Sequence, residues 1–168
     1  HLRIIEIGSS AATSYCARLF ADFGATVRKI EPPRGDPLRR TAPLTPGGHS
    51  AWFAFLNFNK SSVALDPNNL NSTSLLADLI GACDILLDGR DVDAADCLAF
   101  DLEAIKQKNP GLIHLEASWF GGEGPYEKFV ATDSTIRALT GLIKLVGPVE
   151  GPPMHAPDFQ TGILAGLW

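Results

Sequence analysis

The sequence predicts an α/β domain of Rossmann-like architecture, in which helices cover both faces of a mostly parallel sheet. Three observations indicate this fold: short β-branched segments alternate with segments of helical spacing, the order strand–helix repeats, and Gly, Pro or a capping residue stands at most boundaries. A repeated strand–helix order favours parallel strands joined by right-handed crossovers. In such sheets ligands bind at the carboxyl ends of the strands.

The first sixty residues predict two strands, two helices and one long loop. In chain order they are a strand at 2–7 that ends at Gly8, a helix closed by Gly24, a strand at 26–30 stopped by Pro32 and Pro33, a Gly- and Pro-rich loop at 31–48, and a short helix from the cap Ser50 to Leu56. The loops after the two strands are therefore candidate ligand loops.

The remainder of the chain predicts three more strands, at 62–65, 84–87 and 112–115. A helix over about 71–81 separates the first two, and a helix capped by Asp101 precedes the last. An apolar run near the end of the chain predicts one more helix.

Composition and charge narrow the function. The chain has 168 residues, 45% apolar and 20% charged, which is ordinary for a globular domain. Its apolar runs are too short to span a bilayer, and its net charge of −5 argues against nucleic acid, so we expect neither partner. Residues 1–60 hold eight basic and four acidic residues, whereas the remainder holds six and fifteen. The basic loop at 34–40 suits a phosphorylated cofactor, although a solvated loop fits about equally well.

The cysteines indicate the redox environment of the protein, and the chain ends indicate a longer polypeptide. Cys16, Cys83 and Cys97 are an odd number without metal-binding spacing, so we expect reduced thiols and no metal site. Reduced thiols suit the cytoplasm or the matrix of a mitochondrion or peroxisome. The chain begins without Met and stops at Trp168 inside a predicted helix, so we expect residues 1–168 to be a single-domain piece of a longer polypeptide.

Asp158 is the candidate catalytic residue. It follows a Gly- and Pro-rich turn and precedes the last predicted helix. At a helix N-terminus, free N–H groups and the helix dipole keep a carboxylate ionised. Such a carboxylate serves as a cap, a metal ligand or a nucleophile, and the local pattern alone favours the cap.

The first strand–helix–strand unit is also compatible with a dinucleotide-binding fold. Glu31 follows the first strand at about the distance at which an acidic residue meets a ribose. Gly8 is, however, the only glycine in the turn, so the G-x-G-x-x-G pattern is absent. A nicotinamide or methyl-donor cofactor is therefore the weaker hypothesis.

A series of short segments is more specific as a set than any one of them alone. They are 19–33 (LFADFGATVRKIEPP), Gly35-Asp36 with Arg39, Asn57 and Lys60 ahead of 62–66 (SVALD), 84–86 (DIL), Asn109-Pro110 with Leu112-Ile113, Phe120-Gly121, 124–126 (GPY), Asp133, Gly141-Leu142 and the Asp158 segment. In this order they resemble the family III CoA-transferases, the carnitine and formyl CoA-transferase type. The resemblance covers essentially the whole chain and corresponds to the N-terminal part of a family member.

The resemblance implies that Asp158 is the acyl-carrying nucleophile. In the family this aspartate attacks an acyl-CoA thioester to give a mixed anhydride, the CoA thiolate then attacks the aspartyl carbonyl, and an incoming carboxylate takes over the CoA. The implied substrates are an acyl-CoA and a free carboxylic acid, and the implied assembly is an interlocked homodimer. An aspartate of ordinary pKa, about 3.9, is already ionised near neutral pH.

Coenzyme A carries phosphates, so the resemblance also implies cations on the loops. Arg39 matches a family arginine for this task, Lys60 is a second candidate, and Arg40 and Arg34 are further candidates. We expect Asp36 to order its loop instead of acting chemically.

Two departures from the family pattern leave an alternative open. Thr13 stands where the family has Gly in the first strand-to-helix turn, and 88–91 (DGRD) is shortened and lacks the aromatic expected beside the adenosine. A non-catalytic copy with a structural or binding role is therefore the alternative to a transferase.

A related activity, α-methylacyl-CoA racemisation, is less favoured. Racemases of this superfamily place a histidine before the aspartate that matches Asp133, and here that residue is Thr132, which cannot serve as a base. His155 matches no family base, and His114 lies in a predicted strand, where a core histidine is more common. We expect Asp133 itself to have a capping or ordering role.

Overall fold

The five predicted strands form one all-parallel sheet of order β3-β2-β1-β4-β5. A computed structural model describes residues 1–90, 98–145, 147–152 and 158–168. Its strands are β1 (Arg3–Gly8), β2 (Thr26–Glu31), β3 (Ser61–Ala64), β4 (Ile85–Gly89) and β5 (Ile113–Glu116). The predicted α/β fold is confirmed.

Six α-helices accompany the strands in the described ranges: α1 (Ala11–Asp22), α2 (Ala51–Leu56), α3 (Leu70–Gly81), α4 (Leu102–Lys108), α5 (Asp133–Leu139) and α6 (Gln160–Leu167). Ser50 Oγ accepts from the Phe53 N–H over 3.2 Å and Asp101 Oδ1 accepts from the Ala104 N–H over 3.0 Å, which confirms both predicted caps. A 3-10 turn, Pro37–Arg40, lies within the loop that the sequence predicted as irregular. No described helix combines the length and the apolar character that a bilayer crossing needs.

Apolar side chains on both faces of the sheet form two cores, because successive strand residues point in opposite directions. The α3 and α4 face holds Ile5, Ile7, Ile30, Leu65, Leu76, Ile80, Cys83, Leu86, Leu98, Ile105 and Leu112. The α1 face holds Ile4, Ala17, Ala21, Val27, Ile85 and Leu87. Helices therefore cover both faces, as predicted. Cys16 and Cys83 carry free thiols, and Cys97 lies outside the described residues.

Strand order reverses between β1 and β4, and two glycines meet there. Gly8 pairs with Gly89 and has a φ of 93°, and a Cβ on Gly8 would overlap the Gly89 carbonyl. A Cβ on Gly89 would lie 2.5 Å from Thr13 Oγ1. Thr13 is 1% exposed, so its side chain fills the space above Gly89. The two departures from the family pattern thus pack against each other.

Helix α6 lies directly on α1. A Cβ on Gly162 would lie 2.7 Å from Ala11 Cβ, and one on Gly166 would lie 2.5 Å from the Ala12 carbonyl oxygen. Two glycines one turn apart therefore give α6 a flat face that the backbone of α1 can approach. This packing fixes the segment that begins with Asp158 against the start of α1.

Candidate functional site

Asp158 is exposed and lies two positions before Gln160, the first residue of α6. No hydrogen bond or ion pair joins its carboxylate to another residue in the described ranges. A carboxylate in this setting is accessible to an incoming electrophile. The role of Asp158 as a nucleophile stays a prediction, with which its exposed position is compatible.

The carboxylate that accepts a hydrogen bond from the N-terminus of α6 is that of Asp133. The Thr161 N–H donates to Asp133 Oδ1 over 2.7 Å, and Asp133 Oδ2 lies 2.8 Å from Arg137 Nε. The two side chains of this ion pair are 10% and 4% exposed. Asp133 thus has the ordering role that the sequence predicted. The prediction that the helix N-terminus holds Asp158 is wrong, because α6 begins at Gln160 and has no side-chain cap.

Phe159 lies between Asp158 and α6 and has an unusual backbone conformation. Its φ of 69° and ψ of 4° are left-handed, which costs a non-glycine residue about 1–3 kcal/mol. Its ring packs edge-on against Trp52 of α2, with the ring centroids 4.9 Å apart. Aromatic contacts of this geometry offset part of such a cost. Helix α2 therefore helps to position the Asp158 segment.

The next residue of α2 contacts the arginine-bearing loop. Arg39 stacks on the Phe53 ring, with its guanidinium carbon 3.9 Å from the centroid. The same guanidinium donates to both carboxylate oxygens of Glu31 over 2.7 Å. Burial raises the pKa of Glu31, but hydrogen bonds from Arg39, the Asp36 N–H and Ser62 outweigh it and hold the pKa at about 2.

The remaining edge of Arg39 faces solvent, since its side chain is 42% exposed. Arg40 and Arg34 are exposed on the same loop, and Arg40 donates to the Arg34 carbonyl over 2.7 Å. The structure thus brings three of the four predicted phosphate-binding cations to one loop. Glu31 is committed to Arg39, which weakens the ribose-binding hypothesis further.

A buried ion network lies at the base of this loop. Glu6 on β1 accepts from Lys29 Nζ over 2.7 Å and from Lys60 Nζ over 2.6 Å. Lys29 also pairs with Asp36 at 2.9 Å, and all four side chains are at most 2% exposed. Two cations match two carboxylates, as buried charges require. Burial raises the pKa of Glu6, yet the two ammonium groups outweigh it and hold that pKa below its ordinary value.

Lys60 differs from the other predicted cations. It donates to Glu6, to the Ser14 carbonyl over 2.7 Å and to Asn57 Oδ1 over 2.9 Å. These contacts use all three donors of an ammonium. Burial lowers the pKa of Lys60 to about 8, although Glu6 opposes the shift. A phosphate contact from Lys60 therefore requires it to leave this network, which ties α1 to the end of α2.

A second polar cluster lies at β4 and β5 and consists of Asp88, Arg90 and His114. Arg90 forms an ion pair with Asp88 at 2.8 Å and stacks on the Phe100 ring at 4.2 Å. Phe100 thus supplies an aromatic ring next to Arg90 of the shortened loop. The linear pattern did not reveal this ring, because Phe100 lies ten positions after Arg90 in the chain. His114 Nε2 lies 3.6 Å from Asp88 Oδ2, and these residues help to line a cleft of about 130 Å³.

The residues considered for racemisation have other roles. Thr132 caps α5, where its hydroxyl oxygen accepts from the Thr135 N–H over 3.3 Å. His155 lies outside the described residues. As predicted, Asp36 orders its loop, because its Oδ1 accepts from the Leu38 N–H over 2.8 Å.

These features define a Rossmann-like domain with an exposed carboxylate at Asp158 and an arginine-bearing loop, both of which adjoin residues that contact α2. The family model described as CoA-transferase family III matches residues 1–168, and the chain belongs to this family. A CAIB/BAIF family protein from Brucella suis superimposes with a TM-score of 0.88 at 27% identity, over 99% of this chain and 45% of that one.

Curated relatives include two enzymes with different named substrates. The chain is 32% identical to a succinyl-CoA–D-citramalate CoA-transferase of Chloroflexus aurantiacus, over 90% of this chain and 38% of that protein. It is 29% identical to a formyl-CoA:oxalate CoA-transferase of Streptomyces coelicolor, over 99% of this chain and 42% of that protein. The chain thus spans about 40% of the length of these relatives and corresponds to their N-terminal part.

Proposed function

We propose that residues 1–168 belong to an enzyme that exchanges coenzyme A between an acyl-CoA and a free carboxylic acid, with Asp158 as the acyl carrier. The observation that carries this proposal is the position of α2. Trp52 contacts Phe159, which follows Asp158, and the neighbouring Phe53 contacts Arg39. These two contacts connect α2 both to the segment that contains Asp158 and to the loop that carries Arg39.

The proposed chemistry begins with Asp158. One carboxylate oxygen attacks the thioester carbonyl, the C–S bond breaks, and the CoA thiolate leaves with the electron pair, which gives a mixed anhydride. The thiolate then attacks the aspartyl carbonyl and expels the donor acid, leaving an aspartyl-CoA thioester. The acceptor carboxylate displaces the thiolate in turn, and thiolate attack on the acceptor acyl carbonyl releases the new acyl-CoA and restores Asp158. Each step exchanges one bond for another and needs no redox partner.

Coenzyme A is assigned to the loop at 34–40. Arg39 is held by Glu31 and Phe53, so little conformational entropy is lost when its exposed edge meets a phosphate. Arg34 and Arg40 add positive charge on the same loop. No metal ion takes part in this assignment.

Water exclusion requires more protein than these residues supply. An anhydride hydrolyses unless its site is closed, yet Asp158 is exposed in the described chain. We assign this closure to further parts of the intact protein and to a second subunit in a homodimer.

The test is an exchange assay with the intact protein, using an acyl-CoA and an isotopically labelled acid. We expect Asp158→Asn to lower exchange by at least about a thousandfold, because it removes the nucleophile. Asp78→Asn is the matched control, since Asp78 is an exposed aspartate on α3. If Asp158→Asn keeps its exchange rate, the assignment is wrong. If the folded wild-type protein exchanges no acyl-CoA, the non-catalytic alternative stands.

A further inference from the structure

Four aromatic side chains, Phe159, Trp52, Phe55 and Tyr15, form a contiguous wall of rings that begins at the residue after Asp158. This aromatic wall has no part in the exchange chemistry above. Trp52 packs against Phe159 on one side and against Phe55 on the other, where the centroids are 6.2 Å apart. Phe55 in turn stacks on Tyr15 of α1 at 6.1 Å. Three of the four rings are partly exposed and Phe55 is 43% exposed, so the cluster that Phe159 joins to the Asp158 segment keeps uncovered apolar surface.

The left-handed backbone of Phe159 sets where this wall begins. Because φ is 69° at the residue after Asp158, the chain turns sharply between the carboxylate and α6. The ring of Phe159 thereby reaches Trp52. An acyl group bonded to Asp158 is therefore attached one residue before Phe159, whose ring contacts Trp52.

The charges around the wall disfavour an acyl group with a second carboxylate. Arg18 stacks on Phe55 at 4.3 Å but is paired with Asp22 at 3.3 Å. Arg137, on α5, is buried and paired with Asp133. Each of these two cations already has a carboxylate partner, and Arg39, which is paired with Glu31, is assigned with its loop to the phosphates of CoA. A distal carboxylate placed against the rings would lose hydration without gaining a matched charge.

We propose that Trp52 and Phe159 select the acyl group that Asp158 carries, and that they favour a flat apolar acyl group over a small dicarboxylic one. This inference rests on the proposed function, because it concerns the acyl group of the same exchange. An aryl group packs edge-on or offset against indole and phenyl rings, whereas a short dicarboxylic chain does not. The preferred substrates are therefore CoA thioesters of aryl or bulky alkyl monocarboxylic acids.

The experiment measures acylation of Asp158 in the intact protein with two probes, benzoyl-CoA and succinyl-CoA, by the release of CoA thiol in the presence of hydroxylamine. We expect the kcat/KM for benzoyl-CoA to exceed that for succinyl-CoA by about tenfold or more. Trp52→Ala should reduce this ratio at least about fivefold. Trp52→Leu, which keeps apolar bulk, should retain part of it and guards against a folding defect in the first variant.

Two further variants separate selection from general damage. Phe58→Ala removes an exposed phenyl ring two positions after the last residue of α2 and should leave the ratio unchanged. Phe53→Ala should raise the KM for both thioesters alike, because Phe53 supports Arg39. A wild-type preference for succinyl-CoA, or a Trp52→Ala variant that slows both probes equally, overturns the inference while the exchange function stands. If neither probe nor acetyl-CoA acylates Asp158, the proposed function fails, and the inference fails with it.

Discussion

Thr161 of α6 donates its backbone N–H to the Asp133 carboxylate on α5 over 2.7 Å. This bond links the helix that follows Asp158 to a buried ion pair between Asp133 and Arg137. The orientation of the segment that contains Asp158 therefore depends on Asp133, a residue that the proposed chemistry does not use.

Replacement of Asp133 by Asn should destabilise the domain by about 3 kcal/mol, because Arg137 would remain buried without its counter-charge. Thermal or urea unfolding measures the loss. Asp78→Asn, an exposed substitution of the same kind, should change stability by less than about 0.5 kcal/mol. Equal stabilities for the two variants would show that the buried pair has little energetic role.

The contact between α6 and α1 should not tolerate a methyl group at Gly166. An added Cβ would lie 2.5 Å from the Ala12 carbonyl oxygen, so Gly166→Ala should cost about 1–3 kcal/mol and lower exchange activity. Gly81→Ala at the end of α3 is the control, since a Cβ there meets nothing within 4 Å. That control should be neutral or slightly stabilising. A Gly166→Ala protein with wild-type stability and activity would contradict the close packing.

Lys29 should be far more important to stability than an exposed lysine. Lys29→Met leaves Glu6 and Asp36 buried with only Lys60 to balance them, so we expect a loss of about 3–5 kcal/mol or failure to fold. Lys106→Met is the comparison, because Lys106 forms an exposed pair with Glu103 and should change stability by less than about 1 kcal/mol. Similar unfolding midpoints for the two variants would argue against the network.

Acid should weaken the fold through Glu31. Its pKa is about 2 in the folded protein and 4.5 ordinarily, so the unfolded chain binds more protons between these values. The stabilisation, about 3 kcal/mol, is complete above pH 4.5 and is lost as the pH falls toward 2. Arg39→Met should therefore reduce the difference in unfolding free energy between pH 6 and pH 3, measured in urea. Arg40→Met, which leaves Glu31 paired, should keep that difference.

Much of the fold follows from local signals in the sequence. The strands lie close to their predicted bounds, and Ser50 and Asp101 cap helices as expected, because apolar runs and capping side chains act over a few residues. The short helix α5 was not predicted. It is stabilised by the buried pairing of Asp133 with Arg137, a contact that its local sequence pattern does not reveal.

The candidate site was predicted in part. Asp158 stood out through its segment, whereas the left-handed conformation of Phe159 depends on packing against Trp52, more than a hundred positions earlier in the chain. Lys60 and Arg39 looked alike as cations. Only the folded chain distinguishes them. Lys60 is buried in an ion pair with Glu6, whereas Arg39 stacks on Phe53 and stays partly exposed.

In the proposed exchange, the Asp158 carboxylate becomes covalently acylated. The direct measurement is peptide mass spectrometry of the intact protein after incubation with an acyl-CoA and hydroxylamine, which converts an activated aspartyl carbonyl to a hydroxamate. We expect the modification on the peptide that contains Asp158, dependent on acyl-CoA and lost in Asp158→Ala. A folded, CoA-binding protein that transfers acyl groups without modification of Asp158, or with modification of another residue, would contradict the account.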